Sequence, residues 1–491
     1  MTLVLHGCHH LPTKGMLYLQ WQLCINARFT SKFNNHSTTR QTLVSYRLSD
    51  YSNPYCFPSP AGLSSETDVS MLNTASFPQL EVIDQALEAN DLRKAELHIA
   101  RLLRSDTQTD LRAQLLLRRA RVRLLNGRPD EALEDSQEVI ALAPSLGEMP
   151  EVKMTLGDIH LARFMLAELG FAVRSDTDRA LEYYNEILTR HPHFKQRGWV
   201  FYQRGRIYLS ENRVDEAIAD FEESLRRERR PYALHAYCYE RLGFIAMYEQ
   251  RQVTQALDYL DRAIDVYPTG ENAAWLVQVH ILRSRVLREL GDYEAALTAA
   301  SKALNALDTG APNYREALTE AHLAVGEILA LIPRRENEAL EHLLEFLQTS
   351  KRPLGVDVTW SRVYETMGDL YFKLEKSEQA VEAYQTCLVF NPLHPLAVNV
   401  HYQIARCHYR MRQYEKVIAS IDKLLETAES DMQWIGDYRV FNVLGNAHFA
   451  LEHYHKAAQA YRQAVDLAPS NAEGLDKIKK YLQFSEELAG T

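Results

Sequence analysis

Residues 359–392, TWSRVYETMGDLYFKLEKSEQAVEAYQTCLVFNP, carry the pattern from which the rest of the chain is read. Val363, Met367, Leu370 and Tyr371 recur at the spacing of one face of a helix. A polar turn, Glu375–Lys376–Ser377, follows, and a second helical period resumes at Ala380, Val381, Tyr384 and Leu388. Gly368 and Ala380, twelve residues apart, are small where two antiparallel helices must come close. Pro392 cannot donate a backbone N–H, so the second helix stops there. The stretch predicts a helix–turn–helix pair.

Gly368, Tyr371, Ala380, Tyr384 and Pro392 stand where the tetratricopeptide repeat, a unit of about 34 residues, places its small and aromatic residues. The segment resembles that repeat. The Gly-to-Ala distance of twelve returns at Gly205/Ala217 and Gly445/Ala457. Weaker copies surround these: Leu80 to Leu102 with a turn at Asn90–Asp91, then Ala120/Ala132, Gly157/Ala180, Gly243/Ala256, Gly326/Ala339 and Ala405/Val417. The sixth copy reads ELGDYEAALTAASKAL, with Gly291 in its turn. An insertion between Gly157 and Ala180 is expected to lengthen a first helix and enlarge its turn. From Ala132 to Ala457 the step averages about 40 residues, longer than the family period, with the surplus in loops or extended helices.

The resemblance implies an all-α, right-handed superhelical solenoid of about ten repeats over residues 76–470. Residues 471–491 read as an amphipathic capping helix through Leu475, Ile478 and Leu482. Residues 1–75 show no sustained period and read as a disordered leader, or as translated sequence upstream of a start at Met71. Their first 49 residues hold no Asp or Glu, the composition of a transit peptide. Cys8–His9–His10 has metal-binding residue types but no second ligand pair at fixed spacing.

Composition narrows the function. A net charge of −10 gives no nucleic-acid footprint, and no apolar run reaches the length of a membrane span. Six scattered cysteines do not make a disulfide framework, and a reducing cytoplasmic setting is the expectation. There is no Gly-rich phosphate loop, no HExxH and no CxxC pair. His401, Cys407, His408 and Cys387 fall close together, but on the repeat template they take packing positions. The chain is therefore expected to be no enzyme and to need no cofactor or metal.

The resemblance implies that the first helices line a concave groove, into which the residue after each Gly position points. In repeats four to six that groove is expected to combine Trp199, Tyr202, Arg206, Tyr237, Arg241, Phe244 and Arg285, while repeats seven and eight contribute Glu327 and Asp369. Arginine pairs carboxylates bidentately, and Trp, Tyr and Arg anchor binding hot spots. The expected role is a scaffold or adaptor holding an acidic peptide or helix of a partner protein. The alternative is a sensor module whose array changes shape on binding a peptide or small ligand. Asn442 stands where family members that capture a C-terminal carboxylate carry a Lys, which disfavours that mode.

Overall fold

The computed structural model describes residues 77–490 except 90, 106–107, 167–173, 228–232, 269–272, 311–313 and 430–435. The leader, the start at Met71 and Cys8–His9–His10 lie outside the described residues. Among the described residues there are helices and no strands. A 3-10 turn, Pro78–Leu80, leads into α1 (Glu81–Glu88), α2 (Leu92–Leu103), α3 (Thr109–Leu125), α4 (Pro129–Leu142) and the short α5 (Pro144–Gly147). Then come α6 (Pro150–Leu166), α7 (Arg174–Arg190), α8 (Arg197–Ser210), α9 (Val214–Arg227), α10 (Ala233–Tyr248) and α11 (Val253–Val266). The next six are α12 (Ala273–Glu289), α13 (Tyr293–Asn305), α14 (Tyr314–Leu329), α15 (Glu336–Thr349), α16 (Val358–Lys373) and α17 (Ser377–Phe390). The last five are α18 (Ala397–Arg410), α19 (Tyr414–Glu429), α20 (Tyr438–Ala450), α21 (Tyr454–Leu467) and α22 (Leu475–Ala489).

Apart from α5 and α22, these form ten consecutive pairs, each first helix packed on its own second helix and each second helix packed on the first helix of the pair that follows. The result is an all-α solenoid. Part of the long period comes from the first helices: α3, α6 and α12 run 17 residues, against 14 in α8 and α18. In the third pair the inserted segment extends α6 to Leu166, and α7 begins at Arg174.

The turns of the second pair and of the fourth to tenth pairs each hold a left-handed residue. In the fourth pair the Arg213 N–H donates to the Tyr208 carbonyl at 2.8 Å and that of Asn212 to Leu209 at 3.1 Å. This double closure requires a left-handed residue just past the helix end. Asn212 takes it at φ 64°, Glu375 at 61° and Glu452 at 60°, while Gly127 and Gly291 fill the same place at 70° and 80°. These bonds occupy carbonyls near the end of the first helix. In the sixth pair Asp292 caps α13 by accepting the Ala295 N–H at 3.1 Å.

Where a pair crosses, sizes are matched. A Cβ on Gly157, Gly368 or Gly445 would stand 2.5–2.6 Å from the ring of Tyr184, Tyr384 or Tyr461, and one on Gly205 would stand 2.9 Å from Phe221. From the second pair onward, three have a side chain at the Gly register, Ala120, Ser284 and Ala405. Sixteen residues on, where the ring would be, they carry Ser136, Ala300 and Ile421. All six of these side chains are fully buried. Space given up by one helix is taken by the other, as close packing requires. At the far end, Ile478, Tyr481 and Leu482 of α22 pack against Ala457, Tyr461 and Ala464 of α21.

Candidate partner-binding face

A first helix buries two faces. One meets its own second helix through the Gly register; the other meets the neighbouring pairs, the second helix of the preceding one and, in several pairs, the first helix of the next. Trp199 is only 2% exposed, and its indole N–H donates to Asp158 of α6 at 3.3 Å. Tyr202 lies between Trp199 (5.6 Å between centroids), Phe221 (5.9 Å) and Tyr237 (6.1 Å). Tyr237 meets Trp275 of α12 edge-on at 5.2 Å, and Tyr267 covers that indole at 4.3 Å. Phe244 is buried against Tyr248 at 4.9 Å.

The expectation that all seven predicted residues line an open groove is thereby corrected. Trp199, Tyr202, Tyr237 and Phe244 build a sealed aromatic seam through pairs four to six. Arg206 is buried with them: it donates to Gln203 Oε1 at 2.8 Å, touches the Met165 sulfur and lies 5.8 Å over the Tyr202 ring. Large flat side chains remove the most water per residue where helices meet, and that outweighs their use as exposed anchors here. Arg241 and Arg285 are only half-buried. Arg241 has the Glu240 carboxylate at 2.7 Å, and Arg285 acts on Glu327.

The residue after the Gly register also differs from expectation. Tyr184 donates its hydroxyl to Asp158 at 2.6 Å, Tyr384 to Asp369 at 2.5 Å and Tyr461 to Asn446 at 2.8 Å. Where a second helix carries tyrosine at the crossing, an acceptor follows the glycine. In the eighth and tenth pairs that correspondence was present in the sequence as identities 15 residues apart, and in the third pair the insertion stretches it to 26. Asp158 also receives Gln203 at 3.3 Å and is 5% exposed. Burial outweighs these donors and pushes its carboxyl up to about 6.

A carboxyl raised in the fold from 3.8 to about 6 contributes stability below its unfolded value, and loses it as pH climbs through that window. Against Asp158→Asn, the wild type is expected to lose up to about 2–3 kcal/mol between about pH 4 and pH 7. Chemical denaturation of both proteins at the two pH values checks this; parallel pH profiles would remove the argument.

The acid of repeat seven is an ion-pair partner of neighbouring pairs, while Asp369 of repeat eight is exposed. Glu327 of α14 receives Arg288 of α12 at 2.6 Å and Arg362 of α16 at 2.8 Å. Burial pushes its carboxyl up, but the Arg362, Arg288 and Arg285 guanidiniums outweigh it and hold it down at about 2. One carboxylate thus joins three successive pairs. At the other end Asp84 of α1 receives Arg118 of α3 bidentately at 2.7 and 2.8 Å, with Arg118 3% exposed.

The cluster near His401 consists of packing residues. Cys387 and Cys407 are fully buried, burial pushes both thiols up to about 11, and His408 Nδ1 lies 3.1 Å from Gln413 Oε1. No helix among the described residues is long and apolar enough to cross a membrane.

Family models described as the tetratricopeptide repeat match residues 83–146, 202–271, 361–392 and 438–471. A TPR repeat-containing protein of Methanocaldococcus jannaschii is 22% identical over 287 residues, 58% of this chain and 42% of that relative. The match thus spans less than half of the relative's length. Among solved structures, the TPR domain of P58(IPK) is 16% identical with a TM-score of 0.28, covering 84% of this chain and 98% of that one. A tetratricopeptide repeat protein from Parabacteroides merdae is 15% identical with a TM-score of 0.35, covering 59% and 98%.

Proposed function

The chain belongs to the tetratricopeptide-repeat family, and from that premise we propose that it is a non-enzymatic interaction scaffold whose first-helix face receives an acidic segment of a partner protein. The observation behind this reading is a pair of half-buried arginines on consecutive first helices, Arg241 two residues before the Gly register and Arg285 one after it, in a stretch whose core is rich in tightly packed aromatics. A guanidinium offers five N–H donors, so Arg241 can keep Glu240 and still meet a second carboxylate. Trp199, Tyr202, Arg206, Tyr237 and Phe244 then act beneath the contact, fixing where the two arginines stand. A floor already packed loses little conformational freedom when a ligand arrives. The groove reading therefore narrows from seven contacts to two arginines and their support.

Selection of a displayed peptide library on the full chain tests the proposal. Enriched peptides should be rich in Asp and Glu, and Arg241→Glu with Arg285→Glu should weaken them by about tenfold or more, the loss of about 1.4 kcal/mol or more. Enrichment of peptides without acidic bias, or undiminished binding to the doubly reversed protein, would rule it out.

A further inference from the structure

One polar contact in the seventh pair is unlike anything at the same place in the others. His322 of α14 and His342 of α15 bring their Nδ1 atoms to 3.0 Å, with ring centroids 5.1 Å apart. Both rings are half-buried, and burial is the main cause lowering both below the ordinary histidine value. Two neutral imidazoles this close share one proton, one Nδ1 donating to the other.

Helix packing does not demand the arrangement. His322 stands four residues before the Gly register and His342 three after the Ala register. The fifth pair has Tyr239 and Tyr259 there, stacked at 6.3 Å. In the sixth, eighth and tenth pairs a ring on the first helix is matched by Ala299, Ala383 or Ala460 on the second. The second, third, fourth and ninth pairs carry Leu116 with Asp135, Lys153 with Tyr183, Phe201 with Asp220 and His401 with Ser420 there. Only the seventh pair sets two imidazoles against each other at this register.

We propose that His322 and His342 form a divalent transition-metal site that ties α14 to α15. Two imidazole nitrogens on a tetrahedral zinc stand about 3.3 Å apart, given bonds of about 2.0 Å. Adjacent nitrogens on a square-planar copper stand about 2.8 Å apart. The observed 3.0 Å lies between these, within reach of a small ring rotation. On binding, the shared proton moves to Nε2 of its own ring, both δ lone pairs turn to the ion, and no proton is lost. Glu345, exposed one turn further along α15, is the carboxylate that acts on both imidazoles and a candidate third ligand. No group of three ligands is assembled among the described residues, so water completes the shell and the site is open. An ion held only by the folded pair raises that pair's stability.

The test uses the full chain, stripped with a chelator, then titrated with Zn(II) and separately with Cu(II) against a chromophoric competitor. Cys8, His9 and His10 compete for metal in the same chain, so the reading is a difference between proteins. The comparison protein is His322→Tyr with His342→Tyr, which copies the fifth pair and so has a packing precedent; His322→Ala is a second comparison. Wild type should hold one more ion than either variant, and its thermal midpoint should rise with metal and fall back with EDTA. Equal metal content in wild type and the double tyrosine variant, or a midpoint that metal leaves unchanged, would overturn the proposal.

Discussion

Gly368→Ala should destabilise the eighth pair by about 2–3 kcal/mol, although alanine is the better helix former by about 1 kcal/mol. The added methyl would stand 2.5 Å from Tyr384 Cε1 and 2.6 Å from Cδ1, closer than packed carbons approach. The ring cannot move aside cheaply: it is 1% exposed and its hydroxyl is held by Asp369. Overlap therefore wins over propensity, and the helices must separate. In a solenoid each pair touches only its neighbours, so the damage should concentrate around α16 and α17. Hydrogen exchange would show faster opening there, with α3 and α4 unchanged. Adding Tyr384→Ile copies Ala405 with Ile421 and should restore at least about 1 kcal/mol as a coupling between the two sites. A Gly368→Ala protein as stable as wild type would refute the steric account.

Glu327→Gln is expected to cost about 3 kcal/mol, in the range for breaking one side of a buried ion pair. The loss has two parts. A neutral amide no longer balances Arg288 and Arg362, and three consecutive first helices lose a shared partner. The pH dependence identifies the cause. A carboxyl whose value falls from 4.5 to about 2 on folding contributes stability above its unfolded value, and loses it as pH falls toward 2. Wild type and Glu327→Gln should therefore differ most near neutrality and converge in acid below about pH 4. A gap of constant size from neutrality to acid would assign the effect to shape rather than charge.

The fold was legible because its information is local. Small residue, turn and small residue recur at nearly fixed spacing, and the structure places a helix pair on each copy, including the degenerate first one with Leu80, Ile83, Ala95 and Ile99 buried. The face was less legible. Helical periodicity says which way Trp199 or Tyr237 points relative to its own partner helix. It does not say whether the next first helix covers that direction. Asp158 meets Trp199 across 41 residues of sequence, and Arg288 meets Glu327 across 39. Such contacts depend on how far one pair is rotated against the next, which the varying linkers set. Read singly, an arginine or tyrosine at that register looks like a ligand contact. Read against the neighbouring pair, most are seam.

The size matching at the crossings also constrains how the repeats can drift. Moving from a glycine with tyrosine to an alanine with isoleucine takes two changes, and their order matters. Adding the methyl first forces it into the ring, as at Gly368 and Tyr384. Shrinking the ring first leaves a gap, which neighbouring side chains can partly close before the methyl fills it. Lineages should therefore pass through the gapped intermediate and rarely through the crowded one. The ninth pair, with Ala405 and Ile421, looks like the end of such a path. A helix transplanted alone from the ninth pair into the eighth would meet the wrong partner, so the heritable unit of this array is the pair.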